Sequence, residues 1–187
     1  MRRALVAGNW KMHGSVEQTE KLLGELRRAL GDGREGVDMA ICPPALYLDR
    51  ARTMLRDSAL ALGAQNAWYE SSGAFTGEIS PAMLAEFDVG YVLVGHSERR
   101  QFCGEDDALV ARKFVAIQAA GLTPVLCVGE QLTDREAGTA EVVVERQLQA
   151  VIEMAGITAL ADAVIAYEPV WAIGSGRTAT PEQAQDM

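Results

Sequence analysis

Three ionisable side chains directly follow short apolar segments: Lys11, His96 and Glu168. An ammonium at Lys11 would neutralise a phosphate group or a negative charge that develops during a reaction. Lysines are mostly exposed, so an ordinary surface lysine is the alternative. A helix N-terminus predicted directly after His96 favours the neutral imidazole, which can donate a hydrogen bond to a carbonyl oxygen. A structural, hydrogen-bonded histidine is the alternative there.

Glu168 lies between the apolar segment 163–167 and a proline. A carboxylate in that position is costly to bury unless it is paired or takes up a proton. This favours a functional role over a packing role. Glu98 lies next to Arg99 and fits a structural ion pair with that residue or with Lys11, so we assign it no chemical step.

A glycine-rich segment, residues 170–179, follows Glu168 and contains Gly174-Ser175-Gly176. Exposed backbone amides in such a segment can hold an anion. Stiff ends around a glycine centre are typical of a lid that closes over a site and excludes water. An ordinary flexible loop is the alternative, because a Gly-x-Gly pattern is common.

Short apolar segments alternate with longer amphipathic ones along the chain. Leucines spaced three and four residues apart predict a first helix over 16–30, with Ser15 as its N-cap and Gly31 at its end. The remaining pattern predicts strands at 5–8, 37–42, 60–64, 91–94, 122–128 and 163–167, helices at 45–56, 81–87, 106–120 and 140–155, a long loop at 65–80, and a last helix capped by Thr180 with Pro181 in its first turn.

Strands and helices that alternate about every 30 residues predict parallel strands joined by right-handed crossovers. The strands are apolar without alternation, as expected when both faces of a sheet are covered. The pattern fits a closed barrel and an open, doubly wound sheet equally well. No Gly-x-Gly-x-x-Gly opens the first helix, and this argues against dinucleotide binding.

The unusual polar residues and glycines directly follow predicted strands. In a parallel sheet these positions share the carboxyl-terminal end, where the active sites of α/β barrels are built. We therefore expect the following residues to meet: Asn9, Lys11, Gln65, Asn66, His96, Gly129, Glu130 and Glu168.

The composition indicates one globular domain, residues 1–187. The chain is 49% hydrophobic and 23% charged, which is ordinary for a soluble protein. Its net charge of -9 argues against nucleic acid and anionic membranes as partners, although a local pocket can still bind an anion. No segment resembles a signal peptide or a membrane span. Three scattered cysteines indicate neither a disulfide framework nor a zinc site, and favour a reduced, cytoplasmic location.

Five stretches of the sequence occur in the order and spacing of the triosephosphate isomerase family, which the whole chain resembles. They are Asn9-Trp10-Lys11-Met12, Gly77-Glu78-Ile79-Ser80, Val94-Gly95-His96-Ser97-Glu98-Arg99-Arg100, Cys127-Val128-Gly129-Glu130 and Ala166-Tyr167-Glu168-Pro169-Val170-Trp171-Ala172-Ile173-Gly174. The resemblance implies an α/β fold, the (β/α)8 barrel, and interconversion of dihydroxyacetone phosphate with glyceraldehyde 3-phosphate through an enediolate. It implies no metal and no organic cofactor.

The same resemblance implies a role for each candidate residue. Glu168 would be the base that moves a proton between two carbons, and His96 the neutral electrophile that polarises the carbonyl oxygen. Lys11 would supply positive charge, Asn9 would help to place the substrate, and the backbone amide of Gly174 would contact phosphate.

The resemblance also implies a lid over 170–179 and a cytoplasmic homodimer of glycolysis and gluconeogenesis. The loop around Phe75–Glu78 would reach into the partner's active-site region, and a long loop in a compact domain usually has such a function. Ser175 and Arg177 stand where family members commonly carry threonine and lysine, a mild departure.

A full barrel takes about 250 residues, so the sequence predicts an incomplete barrel of about six βα units in a C-terminally truncated chain. Without two further strands we expect unpaired apolar edges, aggregation and a poorly held substrate. One alternative is a non-catalytic remnant that acts only in folding or association. Another phosphate-binding barrel enzyme, such as an aldolase, is a third hypothesis, but apart from the ill-placed Lys11 the chain lacks the expected Schiff-base lysine at a strand end.

Overall fold

The computed structural model describes residues 3–31, 33–174, 176 and 178–187. Strands and helices alternate through these residues. The strands are β1 Ala4–Asn9, β2 Val37–Cys42, β3 Leu60–Ala64, β4 Val89–Val94, β5 Thr123–Val128 and β6 Val164–Tyr167. The α-helices are α1 Val16–Leu30, α2 Leu48–Leu55, α3 Pro81–Glu86, α4 Ser97–Phe102, α5 Asp107–Ala119, α6 Leu132–Glu136, α7 Ala140–Ala155 and α8 Pro181–Gln185, with 3-10 turns at Ala45–Tyr47, Ile157–Asp162 and Val170–Ala172.

Local sequence signals set where the first helix begins and ends. The Ser15 hydroxyl accepts a hydrogen bond from the Gln18 backbone N–H at 3.1 Å, which satisfies a donor left unpaired at the start of α1. Gly31 ends the helix with φ of 52°, and its N–H donates to the Arg27 carbonyl. The predicted start and end of this helix are confirmed.

The chain forms two compact units, which are described separately. The first comprises the residues up to Leu93 together with Ala116–Thr123, and the second comprises Val94–Val115 and the residues from Pro124 onward. The single domain over 1–187 stays a prediction.

Parallel pairing orders the strands of the first unit as β1-β2-β3-β4. β1 pairs with β2 in register from Ala4↔Val37 to Asn9↔Cys42. β2 pairs with β3 from Met39↔Leu60, and the register between β3 and β4 shifts after Leu62. β3 and β2, apart from Asp38, are apolar and mostly buried, which agrees with the predicted parallel sheet.

The second unit contains a parallel pair of its own. β5 pairs with β6 from Val125↔Val164 to Val128↔Tyr167. Phe114 and Leu126 are completely buried in this unit. The paired strands therefore end together, and the residues that follow them, Gly129 and Glu168, lie side by side.

The predicted strands and the longer helices are confirmed, with shifts of one or two residues at several ends. The segment predicted as one helix at 45–56 divides into a 3-10 turn and α2. Two short helices follow strands: α4 begins directly after His96, where a helix N-terminus is predicted, and α6 is additional to the prediction. They are too short to show a repeating apolar face in the sequence. None of the helices in the described part of the chain is both long and apolar enough to cross a membrane.

Candidate active site

His96 and Glu168 are in direct contact in the second unit. The His96 Nε2 atom lies 2.9 Å from the Glu168 Oε1 atom. The backbone N–H of Ser97 donates to the other carboxylate oxygen, Oε2, at 3.0 Å. The His96 side chain is 8% exposed and that of Glu168 16%, so the pair is largely shielded from water. β4 delivers the imidazole and β6 the carboxylate.

The hydrogen bond on the far side of the imidazole fixes which nitrogen carries the proton. His96 is the N-cap of α4, and its Nδ1 atom accepts the backbone N–H of Glu98 at 3.2 Å. A nitrogen that accepts a hydrogen bond holds a lone pair, so the ring proton resides on Nε2. Nε2 therefore donates to Glu168. A neutral imidazole that polarises a carbonyl group would donate to the carbonyl oxygen in the same way.

The surroundings of Glu168 favour its ionised form. Burial of the carboxyl raises its pKa, but the hydrogen bonds from His96 and Ser97 lower it by more, so the pKa of Glu168 lies below its ordinary value. Hydrogen bonds to a charged group favour that charge. Glu168 is thus a carboxylate at neutral pH, and it gains basicity when it leaves these donors.

A second buried carboxyl group, Glu130, holds the start of the segment after β6. The hydroxyl of Tyr167 donates to it at 3.0 Å and the indole Nε1 of Trp171 donates at 2.8 Å. Arg135 approaches the same group at 3.2 Å and stacks over the Trp171 ring, 4.9 Å from its centroid. Burial, followed by the hydrogen bond to Glu130, raises the pKa of Tyr167 to about 12.

The glycine-rich segment begins with a 3-10 turn at Val170–Ala172 and continues to Gly174. Gly174 is exposed and has φ of 66°, a left-handed conformation that glycine adopts without strain. Ser175 and Arg177, where the family commonly has threonine and lysine, lie outside the described residues.

Asn9, the last residue of β1, and Lys11 lie together in the first unit. Lys11 has φ of 51°, a conformation that costs a non-glycine residue free energy. The Asn9 side chain accepts the Lys11 N–H at 2.9 Å, and the Gln65 amide donates to the Lys11 carbonyl at 2.9 Å. The Gln65 amide also donates to Cys42 at 2.8 Å. Asn9 at the end of β1 and Gln65 after β3 therefore hold the Lys11 backbone in place, and Gln65 is itself bonded to the end of β2.

A cavity of about 350 Å³ lies beside the carboxylate in the second unit, and both Ser97 and Glu168 line it. Polar groups from α4, α5 and α7 line it as well, among them Arg100, Asp107 and Gln147. No group of three or more His, Cys, Asp or Glu side chains in the described residues is arranged to hold a metal ion.

The sequence patterns do not predict Ser97 or Gln147 as site residues, and they predict the place of Glu130 but not its role. Ser97 acts through its backbone N–H, which residue type does not reveal. The place of Glu130 after a strand is predicted, but two of its three partners, Tyr167 and Trp171, lie 37 and 41 positions away. Gln147 did leave a signal, because it is a polar residue in the buried stripe that includes Val144 and Val151.

Parallel βα units with an imidazole and a carboxylate in contact at the carboxyl ends of strands define an α/β enzyme of the acid–base class. The sequence model of the family described as triosephosphate isomerase matches residues 4–187. The triosephosphate isomerase of Thiobacillus denitrificans is 59% identical over 185 residues, which cover 99% of this chain and 73% of that protein. That of Dechloromonas aromatica is 57% identical, covering 100% of this chain and 74% of the relative. That of Psychromonas ingrahamii is 52% identical with the same coverage.

The chain belongs to the triosephosphate isomerase family. The predicted fold class is therefore confirmed: it is α/β, with six of the strands of a (β/α)8 barrel. The predicted membership of an isomerase family is confirmed as well.

Proposed function

We propose that this chain interconverts dihydroxyacetone phosphate and glyceraldehyde 3-phosphate, with Glu168 as the base that moves a proton between the two carbons. The contact between the Glu168 carboxylate and the His96 imidazole carries the proposal. A carboxylate must be ionised to accept a proton, and the donors around Glu168 keep it so. This intact pair argues against the alternative of a non-catalytic module.

His96 polarises the substrate carbonyl in this proposal. Its proton on Nε2 is the donor that a carbonyl or enediolate oxygen needs, and the Glu98 backbone keeps Nδ1 from competing for that proton. Because the imidazole is neutral, it can give up its Nε2 proton and take a proton back as negative charge moves between the two substrate oxygens. The hydrogen bond between Nε2 and the Glu168 carboxylate must first break, and Nε2 then donates to the substrate.

Lys11 and Asn9 bind the substrate. The Lys11 ammonium offsets the charge of the phosphate and of the enediolate oxygen. Its strained backbone, held by Asn9 and Gln65, supports a functional role, because such strain persists where surrounding contacts impose it.

The segment 170–179 acts as a lid whose Gly174 N–H contacts the phosphate. An exposed, left-handed glycine presents its amide without a side chain in the way. Closure excludes water from the enediolate, which otherwise eliminates phosphate. The hydrogen bond from Trp171 to the buried Glu130 holds one end of the segment.

The isomerisation is tested by following interconversion of the two triose phosphates in D2O. Proton transfer through an enediolate predicts that solvent deuterium enters the carbon-bound position of the product. The purified protein should show both conversion and incorporation, without added metal or cofactor. Lack of conversion would refute the proposal, and incorporation of solvent deuterium would exclude a direct hydride shift between the two carbons.

The chain forms a cytoplasmic homodimer of glycolysis and gluconeogenesis through the loop around Phe75–Glu78. The loop is exposed, yet it is ordered by its own contacts: the Phe75 ring lies 5.5 Å from Trp68, and the Trp68 N–H donates to Ile79 at 2.8 Å. Met12, 94% exposed, and Leu46, 89% exposed, follow neighbouring strands. Large apolar side chains exposed on loops of one unit favour a protein partner.

A further inference from the structure

The side-chain amide of Gln147, on α7, holds both polar groups of the Gly129 backbone. Gln147 Oε1 accepts the Gly129 N–H at 2.8 Å, and Gln147 Nε2 donates to the Gly129 carbonyl at 3.0 Å. The two bonds need opposite ends of the amide, so they fix its orientation. Helix α7 is thereby fastened to the residue that follows β5.

Gly129 in turn touches the backbone of Glu168. The Glu168 N–H donates to the carbonyl of Val128 at 2.7 Å. A methyl carbon added at Gly129 would overlap the Glu168 carbonyl oxygen and lie 2.8 Å from its carbonyl carbon. Because no space separates the two backbones, a displacement of Gly129 displaces Glu168.

An amide at position 147 is not what packing alone would favour. Gln147 is 5% exposed and lies in the buried stripe of α7 with Val144 and Val151. Burying an amide costs free energy that its hydrogen bonds must offset. An apolar residue would fill the same stripe without that cost. What distinguishes glutamine is its pair of hydrogen bonds to the Gly129 backbone.

We propose that Gln147 is a positioning residue for the reaction: through Gly129 it sets the place from which the Glu168 carboxylate reaches the substrate. This rests on the proposed function, since the position of Glu168 matters to turnover only if Glu168 is the base. The carboxylate lies within hydrogen-bond distance of His96 and Ser97, so a shift of its backbone also changes those two contacts.

Gln147→Met tests the two hydrogen bonds to Gly129, because methionine is similar in length but apolar and cannot form them. We expect kcat per folded molecule to fall about 10- to 100-fold, as displacements of about 1 Å do at active sites, with KM little changed. Gln149→Met is the matched control: Gln149 lies on the same helix, is exposed, and bonds to Glu153. It should retain wild-type kcat.

Gly129→Ala perturbs the same contact from the other side. The added methyl must push the Glu168 backbone away, so this variant should also lose kcat. Because both changes act through one contact, the double variant should be no slower than about the slower single variant. Full multiplication of the two effects would show independent causes and overturn the proposal.

The titration of Glu168, followed by carbon-13 NMR of its carboxyl and assigned with Glu168→Gln, gives a readout that does not need turnover. A displaced carboxylate loses donors from His96 and Ser97 while it stays buried, so Gln147→Met should raise the pKa of Glu168 and Gln149→Met should leave it unchanged. His96 is the titratable group that faces Glu168, with Glu98 3.8 Å from the other ring nitrogen.

The outcomes separate the two proposals. If the wild-type protein fails to interconvert the trioses, the proposed function is wrong, and the titration alone decides whether Gln147 positions the carboxylate. If Gln147→Met lowers kcat while the Glu168 titration stays as in the wild type, Gln147 has only a structural role. An unchanged kcat and an unchanged titration overturn the positioning role outright.

Discussion

At the scale of single residues, two N–H donors hold the Glu168 carboxylate: the ring of His96 and the backbone of Ser97. Both favour its ionised form, and burial opposes it. The balance leaves a carboxylate that is charged at neutral pH but surrounded by little water. Released from its donors near a substrate carbon, such a group is a stronger base than a solvated carboxylate.

Glu168→Gln should abolish isomerisation while the fold is kept. The amide has nearly the same shape but cannot take up the proton, and loss of a general base costs roughly 10²–10⁴-fold in rate. Turnover by the purified variant measures the effect. Glu145→Gln, an exposed change on α7, is the control. Near-normal turnover of the Glu168 variant would remove Glu168 from the mechanism.

The His96 imidazole should carry its proton on Nε2. The Glu98 backbone N–H points at Nδ1, so a proton there would face another proton. Nitrogen-15 NMR at neutral pH distinguishes the two ring nitrogens, and a His13→Gln variant assigns the signals because the chain has only two histidines. Two protonated nitrogens at neutral pH would contradict the electrophile role.

Ser97→Pro should raise the pKa of Glu168. Ser97 is the first residue of α4, a position that accepts proline, and the change removes the N–H that donates to the carboxylate. Ser97→Ala is the control, since it removes the hydroxyl and keeps the N–H. Carbon-13 titration should give a higher midpoint for the proline variant than for the alanine variant; equal midpoints would show that the backbone donor is unimportant.

The linkage of this titration to stability has a definite sign. A carboxyl whose pKa is lower in the folded state stabilises the fold above its unfolded pKa, and this contribution is lost as the pH falls through the folded value. The pKa of Glu168 is below 4.5 in the folded state. Its contribution is therefore complete at neutral pH and is lost in acid.

At the scale of elements, a buried charge cluster joins α4 to α5. Glu105, in the connection between them, contacts Arg99 at 2.5 Å and Lys113 at 2.6 Å. The side chains of Glu105 and Lys113 are 2% and 0% exposed. The cluster holds α4, and α4 begins at the residue that follows His96.

Lys113→Met should destabilise the protein by about 3 kcal/mol, because it leaves a buried carboxylate with one partner fewer. This is the low end of the usual range, since Arg99 still pairs with Glu105. Urea unfolding measures the change. Arg52→Met breaks the pair with Asp88, whose side chains are 39% and 75% exposed, and should cost about 0–1 kcal/mol. Equal losses in both variants would contradict a buried cluster.

At the scale of the whole molecule, Thr76→Arg should weaken the proposed dimer. Thr76 is exposed at the tip of the loop, so one chain tolerates arginine there, whereas a close interface would not. Sedimentation velocity at micromolar concentration should show a dimer for the wild type and a monomer for this variant. Thr158→Arg, an exposed threonine in the other unit, should remain dimeric. A wild-type monomer, or a dimeric Thr76→Arg variant, would disprove this interface.

The chain spans 73–75% of the length of the relatives it matches. Two of its strands expose apolar side chains: Val6 of β1 is 63% exposed and Ile165 of β6 is 39% exposed. The aggregation expected for a chain of 187 residues stays a prediction, and these side chains are where it would begin.

The sequence by itself determined the alternation of strands and helices and the positions at strand ends. Apolar periodicity and capping residues are local, so helix α1 could be placed from Ser15 to Gly31. Because parallel strands place their carboxyl ends together, the order of elements was enough to select Lys11, His96 and Glu168. The family motifs, recognised by their order and spacing, added the role expected for each of these residues.

The tertiary structure decided how those residues are held. Ser97 donates to Glu168 across 71 positions of sequence, Tyr167 to Glu130 across 37, and Gln147 to Gly129 across 18. No local pattern encodes such a contact, because it depends on how helices pack against the ends of strands. The pKa of Glu168 follows from burial and donors that packing brings together. Its chemistry could be anticipated from residue type and position, but its environment exists only in the folded chain.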